Sequence, residues 1–198
     1  MIHSFILRDT KRWLDEKAAS SNPQPVLLYD IRKFVETRAH SLVRNQSNEP
    51  YPNLFQCMAF PVGVNKNDVA AHYSPCDWES ETLDLTKDSV SIDFGLFEPT
   101  LGVLTDGAFT WNGRDNHEGS QLSLFAEEAV NHIISKSGPD AILGELGREC
   151  HEFLSSKEVV IEGVETRKPV HVLKDLCGHS IAPYVIHAGK AVPSIPLP

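Results

Sequence analysis

The sequence predicts an α+β fold with mostly antiparallel strand pairing. Two observations carry that expectation. Apolar residues recur at helical spacing in two blocks, before residue 45 and again after residue 121, and between them lies a segment in which apolar and polar residues alternate. The elements also come in runs, helices then strands then helices then strands, rather than in the strict strand–helix alternation of a parallel doubly wound sheet. There is no tandem repeat of solenoid length, and no linker long enough to divide the chain.

Taken in order, Ile2, Phe5, Ile6, Trp13 and Leu14 set a first helix over residues 2–17, and the polar, proline-containing stretch 20–25 ends it. Leu27, Leu28, Ile31, Phe34, Val35 and Leu42 form the apolar side of a second helix over 26–44, with Arg32, Lys33, Glu36 and Arg38 opposite. Residues 45–53 are a polar loop. Residues 57–64 are a short apolar run bounded by turn residues. Val90, Ile92, Phe94 and Leu96 alternate with Ser91, Asp93 and Gly95, and 103–111 reads as a second strand. A loop over 112–119 leads to a helix marked by Leu122, Phe125, Ala126, Ala129, Val130, Ile133 and Ile134. Pro139 is placed in the first turn of the next helix, whose apolar face is Ile142, Leu143, Leu146 and Phe153. Strands at 157–161 and 168–173 flank a turn at 162–165.

Composition narrows the function. The chain has 198 residues, 41% hydrophobic and 23% charged, which are ordinary globular values. Its net charge is −9, from 18 basic and 27 acidic residues. That balance argues against sequence-independent nucleic-acid binding and against anionic membrane surfaces. No apolar run is long enough to cross a bilayer, and the N-terminus lacks the pattern of a signal peptide. Cys57, Cys76, Cys150 and Cys177 are widely and irregularly spaced, which suits free thiols in a reducing cytoplasm better than a zinc ribbon or a disulfide scaffold.

The strongest local signal is a pair of aspartates on consecutive strands, Asp93 and Asp106. A tight turn at Pro99 and Thr100 places them directly opposite one another, with Cβ atoms roughly 4.5–5.5 Å apart. Pro99 is unusual in a two-residue hairpin turn, so a bulge that shifts this register is the alternative. Facing carboxylates repel, and a raised pKa or bound cations would offset that repulsion. Dinuclear hydrolases bridge two metals with such pairs; solvated aspartates at a strand edge are the competing reading. His72, His179 and His187 each lie between small or apolar neighbours. Imidazole with carboxylate is the ligand mix of divalent transition-metal sites, and a histidine that does not bind metal is suited to proton transfer near neutral pH. His3, His40, His117, His132, His151 and His171 show no supporting partners in the sequence.

Four segments then resemble a known family. Residues 59–64 (AFPVGV) and 70–75 (AAHYSP), the aspartates of IDFG and TDGAFT, and GHSI followed by IHAGKAVP are similar to the ordered motifs of type 2 methionine aminopeptidases, within the M24 metallopeptidases. The resemblance runs from about residue 54 to 193. It implies a pita-bread fold and removal of the initiator methionine from nascent proteins. It also implies two divalent ions (Mn, Fe, Co or Zn) held by Asp93, Asp106 and His179. His72 and His187 would contact the substrate and act in catalysis, and Phe60 and Ile186 would line the methionine pocket. The partner implied is the N-terminus of a nascent polypeptide, with the ribosome as a further candidate that the sequence does not decide; the acidic charge is what argues against direct nucleic-acid and membrane binding.

Three departures stand out. The thirteen-residue step from Asp93 to Asp106 is slightly long for the family, and Cys177 stands where the family usually has Asn. The family pattern also places two glutamate ligands beyond I-H-A-G-K, and no residue here maps to either. The expectation is one partial peptidase domain over 1–198, helical over 1–53 and motif-bearing over 54–198, incomplete at its C-terminus. Such a chain would bind metal poorly and be inactive or weakly active alone. The alternative is a non-catalytic binding module of the same fold.

Overall fold

The computed structural model describes residues 2–44, 58–163 and 165–196. They fall into two compact units: Met1–Asn116 with Ile181–Ile186, and His117–Ser180 with His187–Pro198. The loop expected over 45–53, and Cys57, lie outside the described residues.

In the first unit, α1 (Ile2–Ala18) buries Ile6, Thr10, Leu14 and Ala18, a repeat of four that keeps one stripe inward. Thr10 is tolerated there because its hydroxyl donates to the Ile6 carbonyl at 2.8 Å. α2 (Leu28–Arg44) buries Leu28, Ile31, Val35 and Ala39. It starts two residues later than the periodicity suggests. Val26–Leu27 (β1) instead pairs with Thr82–Leu83 (β3), and the Leu28 N–H donates to the Glu81 carbonyl at 3.0 Å.

The three-stranded antiparallel sheet has the order β2 (Gly63–Lys66), β4 (Ser89–Glu98), β5 (Val103–Asn112). Val64, Val90, Ile92, Phe94 and Trp111 share one face and join the buried residues of α1 and α2 in a single core. Two polar groups cap that core. The Trp111 indole N–H donates to Asp15 at 2.8 Å. The ring of His3 stacks on Phe94 with centroids 4.4 Å apart, and its Nε2 lies 2.9 Å from the Phe94 carbonyl. Gly107 makes this possible, since a Cβ there would lie 2.8 Å from His3 Cε1. His3, without partners in the sequence reading, is thus a core-capping residue.

The register differs from the tight-turn expectation. Glu98 pairs with Val103, so the hairpin loop has four residues, 99–102; Asp93 lies opposite Ala108, and Asp106 opposite Gly95. The loop is built to that length. The Glu98 carboxylate accepts the N–H groups of Thr100 (2.9 Å) and Leu101 (2.7 Å). Gly102 adopts φ +70°, and a Cβ there would strike the Tyr184 ring at 2.4 Å. Tyr184 in turn donates its hydroxyl to the Pro99 carbonyl and its N–H to that of Gly102, both at 2.9 Å. Relative to the expected pairing, each residue's partner moves by two, so every side chain keeps its face.

In the second unit, α3 (His117–Lys136) begins inside the stretch expected to be loop, with Glu118 in its first turn, where a carboxylate suits the helix dipole. α4 (Leu143–Ser155) begins four residues after Pro139, because Gly138 and Ala141 close a turn (3.1 Å) and Asp140 takes φ +67°. β6 (Glu158–Val159) and β7 (Lys168–Pro169) are shorter than the strands expected, and the Gln121 amide bonds both backbone groups of Val160 at 3.1 Å. β8 (Cys177–His179) pairs with β9 (Ala191–Pro193). Among the described residues no helix is long and apolar enough to cross a membrane.

Two outcomes follow from this packing. Phe94→Ala removes a fully buried ring and is expected to cost about 3–5 kcal/mol in a denaturant titration. The amides of Leu101 and Thr100 hold the Glu98 carboxyl below its ordinary value. A lowered folded-state pKa adds stability that is present above the unfolded pKa and lost as pH falls through the folded one. Melting temperatures followed from about pH 5 to pH 3 should therefore fall less steeply in Glu98→Gln than in the parent.

Candidate metal centre

The side of the sheet away from the core carries the candidate chemistry. Strand alternation places Asp93 on this face of β4 and Asp106 on the same face of β5, one pair further along. The two aspartates are diagonal neighbours, with Cα atoms roughly 7–8 Å apart, rather than directly opposed. That spacing relieves the direct repulsion of the expected register and keeps both carboxylates on one surface. The positions around them carry little bulk. Gly63 lies opposite Asp93 on β2, Ala108 opposite it on β5, and Gly95 opposite Asp106. Both aspartates are half-buried.

Phe60 borders the same face. The Ala59 N–H donates to the Gly95 carbonyl at 2.9 Å. A Cβ on Gly95 would lie 2.6 Å from Phe60 Cε1 and 2.9 Å from Ala59 Cβ, so the absent side chain is what admits the Ala59–Phe60 segment. The structure thus brings together Asp93, Asp106 and Phe60. Ile186 also belongs to this unit, in the short segment Ile181–Ile186.

His72 is exposed, with φ +67°, a conformation that L-residues seldom adopt. It is held there from the next residue. The Tyr73 N–H donates to Asn65 Oδ1 at 2.9 Å, and the Tyr73 carbonyl accepts the Val64 N–H at 2.7 Å. Asn65 is 2% exposed, and its Nδ2 reaches the Ser91 carbonyl at 3.3 Å. This buried amide positions the loop bearing His72 beside the aspartate-bearing face, and the sequence reading missed it. Its only signal there was a polar residue closing an apolar run. The Tyr73 hydroxyl donates to Glu79, whose carboxylate pushes the phenol up to about 12.

The other two histidines meet in the second unit. The rings of His179 and His187 stack with centroids 3.9 Å apart and planes 12° apart. The backbone explains the contact. Ser180 N–H bonds the Lys190 carbonyl (2.9 Å) and Ala188 N–H bonds the Ser180 carbonyl (2.8 Å), which folds the residues after His187 back onto β8. Cys177 is exposed, opposite Pro193. Of the remaining histidines, His132 lies 3.4 Å from Glu149 and stacks on Phe153.

The three nominated ligands are therefore divided, two carboxylates in one unit and one imidazole in the other. Among the described residues no three His, Cys, Asp or Glu side chains gather into a group able to hold a metal ion. The aspartate pair fits one side of such a site, by donor chemistry and by the small residues around it.

Residues 6–197 match the model of metallopeptidase family M24, and the chain belongs to that family. Among curated relatives, methionine aminopeptidase 2-2 of Chaetomium globosum is 35% identical over 189 residues, covering 95% of this chain and 40% of that protein. Methionine aminopeptidase 2 of Malassezia globosa is 37% identical over 198 residues, covering 99% and 41%. The chain thus spans about two-fifths of the length of these relatives. A crystal structure of methionine aminopeptidase from Thermotoga maritima superposes with a TM-score of 0.65 at 20% identity, covering 96% of this chain and 68% of that one. That likeness shows the pita-bread fold.

Replacing Asn65 by Ala removes the acceptor of the part-buried Tyr73 N–H. The expected cost is about 1–3 kcal/mol. Amide exchange should show the Tyr73 N–H losing protection while α1 and α2 keep theirs.

Proposed function

We propose that this chain carries part of the metal site of a type 2 methionine aminopeptidase, acting on the N-terminal methionine of nascent polypeptides in the cytoplasm. The observation that supports it best is the placement of Asp93 and Asp106 on one face of the β4–β5 hairpin, cleared by Gly63, Gly95 and Ala108 and bordered by Phe60.

In this reading Asp93, Asp106 and His179 would hold two divalent cations, a mixed donor set that Mn, Fe, Co or Zn can satisfy. When bound, such ions polarise a peptide carbonyl and make water nucleophilic near neutral pH. The protein's own groups do the rest. His72, fixed in its left-handed conformation, carries a proton to or from the nitrogen of the scissile peptide. His187 donates a hydrogen bond to the carbonyl oxygen as charge develops there. Phe60 and Ile186 supply apolar walls that select a methionine side chain by size. With three ligands and no counterpart of the family's two glutamates, the 198 residues alone should bind metal weakly and turn over little.

A non-catalytic binding module of the M24 fold is the second reading. Calorimetric titration with Mn²⁺, on the longest natural form that contains this chain, separates the two. Asp106→Ala should weaken Mn²⁺ binding at least tenfold and abolish release of Met from a Met-Ala-Ser peptide. Metal content unchanged by the substitution would overturn the ligand assignment. No metal binding in either form would leave the binding module as the function.

A further inference from the structure

The loop that opens with His72 ends in a feature the proposed catalysis does not use. Trp78 is 80% exposed, at a corner of the turn from Cys76 to Glu79. The other two tryptophans are engaged in the fold: Trp13 stacks on Phe34, with centroids 4.6 Å apart, and Trp111 is buried and bonded to Asp15. The turn beneath Trp78 is nonetheless firmly built. The Glu79 N–H donates to the Cys76 carbonyl at 3.1 Å. The Glu79 carboxylate accepts from the Tyr73 hydroxyl and from the Cys76 N–H. Arg32, itself paired with Glu36 at 2.8 Å, donates to the Pro75 carbonyl at 2.9 Å. The backbone is therefore ordered before anything binds, while the largest side chain of the turn contributes almost nothing to the core. That is the layout of a preorganised aromatic anchor.

We infer that Trp78 is a docking residue for a basic stretch of polypeptide, with a Lys or Arg side chain seated over the indole. Charge decides the partner. Asp77 and Glu79 flank Trp78 in sequence, while Glu81, which follows, is paired with Lys66 at 3.7 Å and does not count toward this charge. The chain as a whole carries −9. An indole face attracts cations, and nearby carboxylates add to that attraction. The same carboxylates repel phosphate backbones and anionic headgroups. The inference does not rest on the catalytic reading.

The test uses the whole chain, ¹⁵N-labelled, without added metal, titrated with the capped peptide acetyl-Gly-Lys-Gly-Lys-Gly-amide. A capped peptide is no aminopeptidase substrate, so failure of the catalytic reading leaves this result untouched. The indole N–H signal of Trp78 should move saturably, and those of Trp13 and Trp111 should stay in place. In Trp78→Ala the two remaining indole signals report that the fold is intact. The peptide concentration that half-shifts the backbone amides of residues 76–81 should rise at least fivefold there. The same peptide with both lysines acetylated should lose the effect. A response that persists in Trp78→Ala, or that is equal for the acetylated peptide, would overturn the inference. So would a larger response to oligouridylate or to phosphatidylserine vesicles.

Discussion

The pairing of β4 with β5 is the constraint on which the rest depends. A strand repeats every two residues, so one choice of partners sorts two faces at once. Ile92, Phe94 and Trp111 go to the core that α1 and α2 close, and Asp93 and Asp106 go to the other side. Those two outcomes cannot be separated: a slip of one residue would bury carboxylates and expose phenyl rings. The apolar face is what enforces the register, and the aspartates inherit their position from it. Tyr184, Glu98 and Gly102 then set the loop length at the far end of the hairpin.

Glycine and asparagine shape the candidate site more than its charged groups do. Gly95 is bare so that Ala59 and Phe60 can lie against β4, and Gly107 is bare so that His3 can cap Phe94. Asn65 accepts the Tyr73 N–H and donates to the Ser91 carbonyl, so its amide ties the loop to the central strand. A buried amide with both ends used is a rigid bracket, and it holds His72 in a conformation the chain would otherwise avoid. The loop is thus a product of satisfied polar groups rather than of apolar burial, which is why its later part can present Trp78 to solvent without becoming loose.

The second unit is built differently. α3 buries Ala129 while Leu122, Val130 and Ile134 stay exposed, so its apolar periodicity is only partly used within the unit. Its strands are two or three residues long, and side chains complete what the ladders do not, as Gln121 does for Val160. Backbone hydrogen bonds around Ser180 bring the chain of His187 back to His179, where the two rings stack.

The sequence by itself determined the α+β class, both long helices of the first unit, the β4–β5 hairpin and the family, because periodicities of 3.6 and 2 and ordered motifs are properties of neighbours along the chain. It also determined that Asp93 and Asp106 share a face, since the observed register differs from the expected one by an even step. The tertiary structure decided which residues oppose them, where α2 and α4 begin, and what His3 and Asn65 do. These depend on partners far away in sequence: Phe94 and Gly107 for His3, Tyr73 and Ser91 for Asn65, Glu81 for the start of α2. A backbone group takes whichever partner the fold brings within hydrogen-bonding distance, and no local pattern encodes that distance.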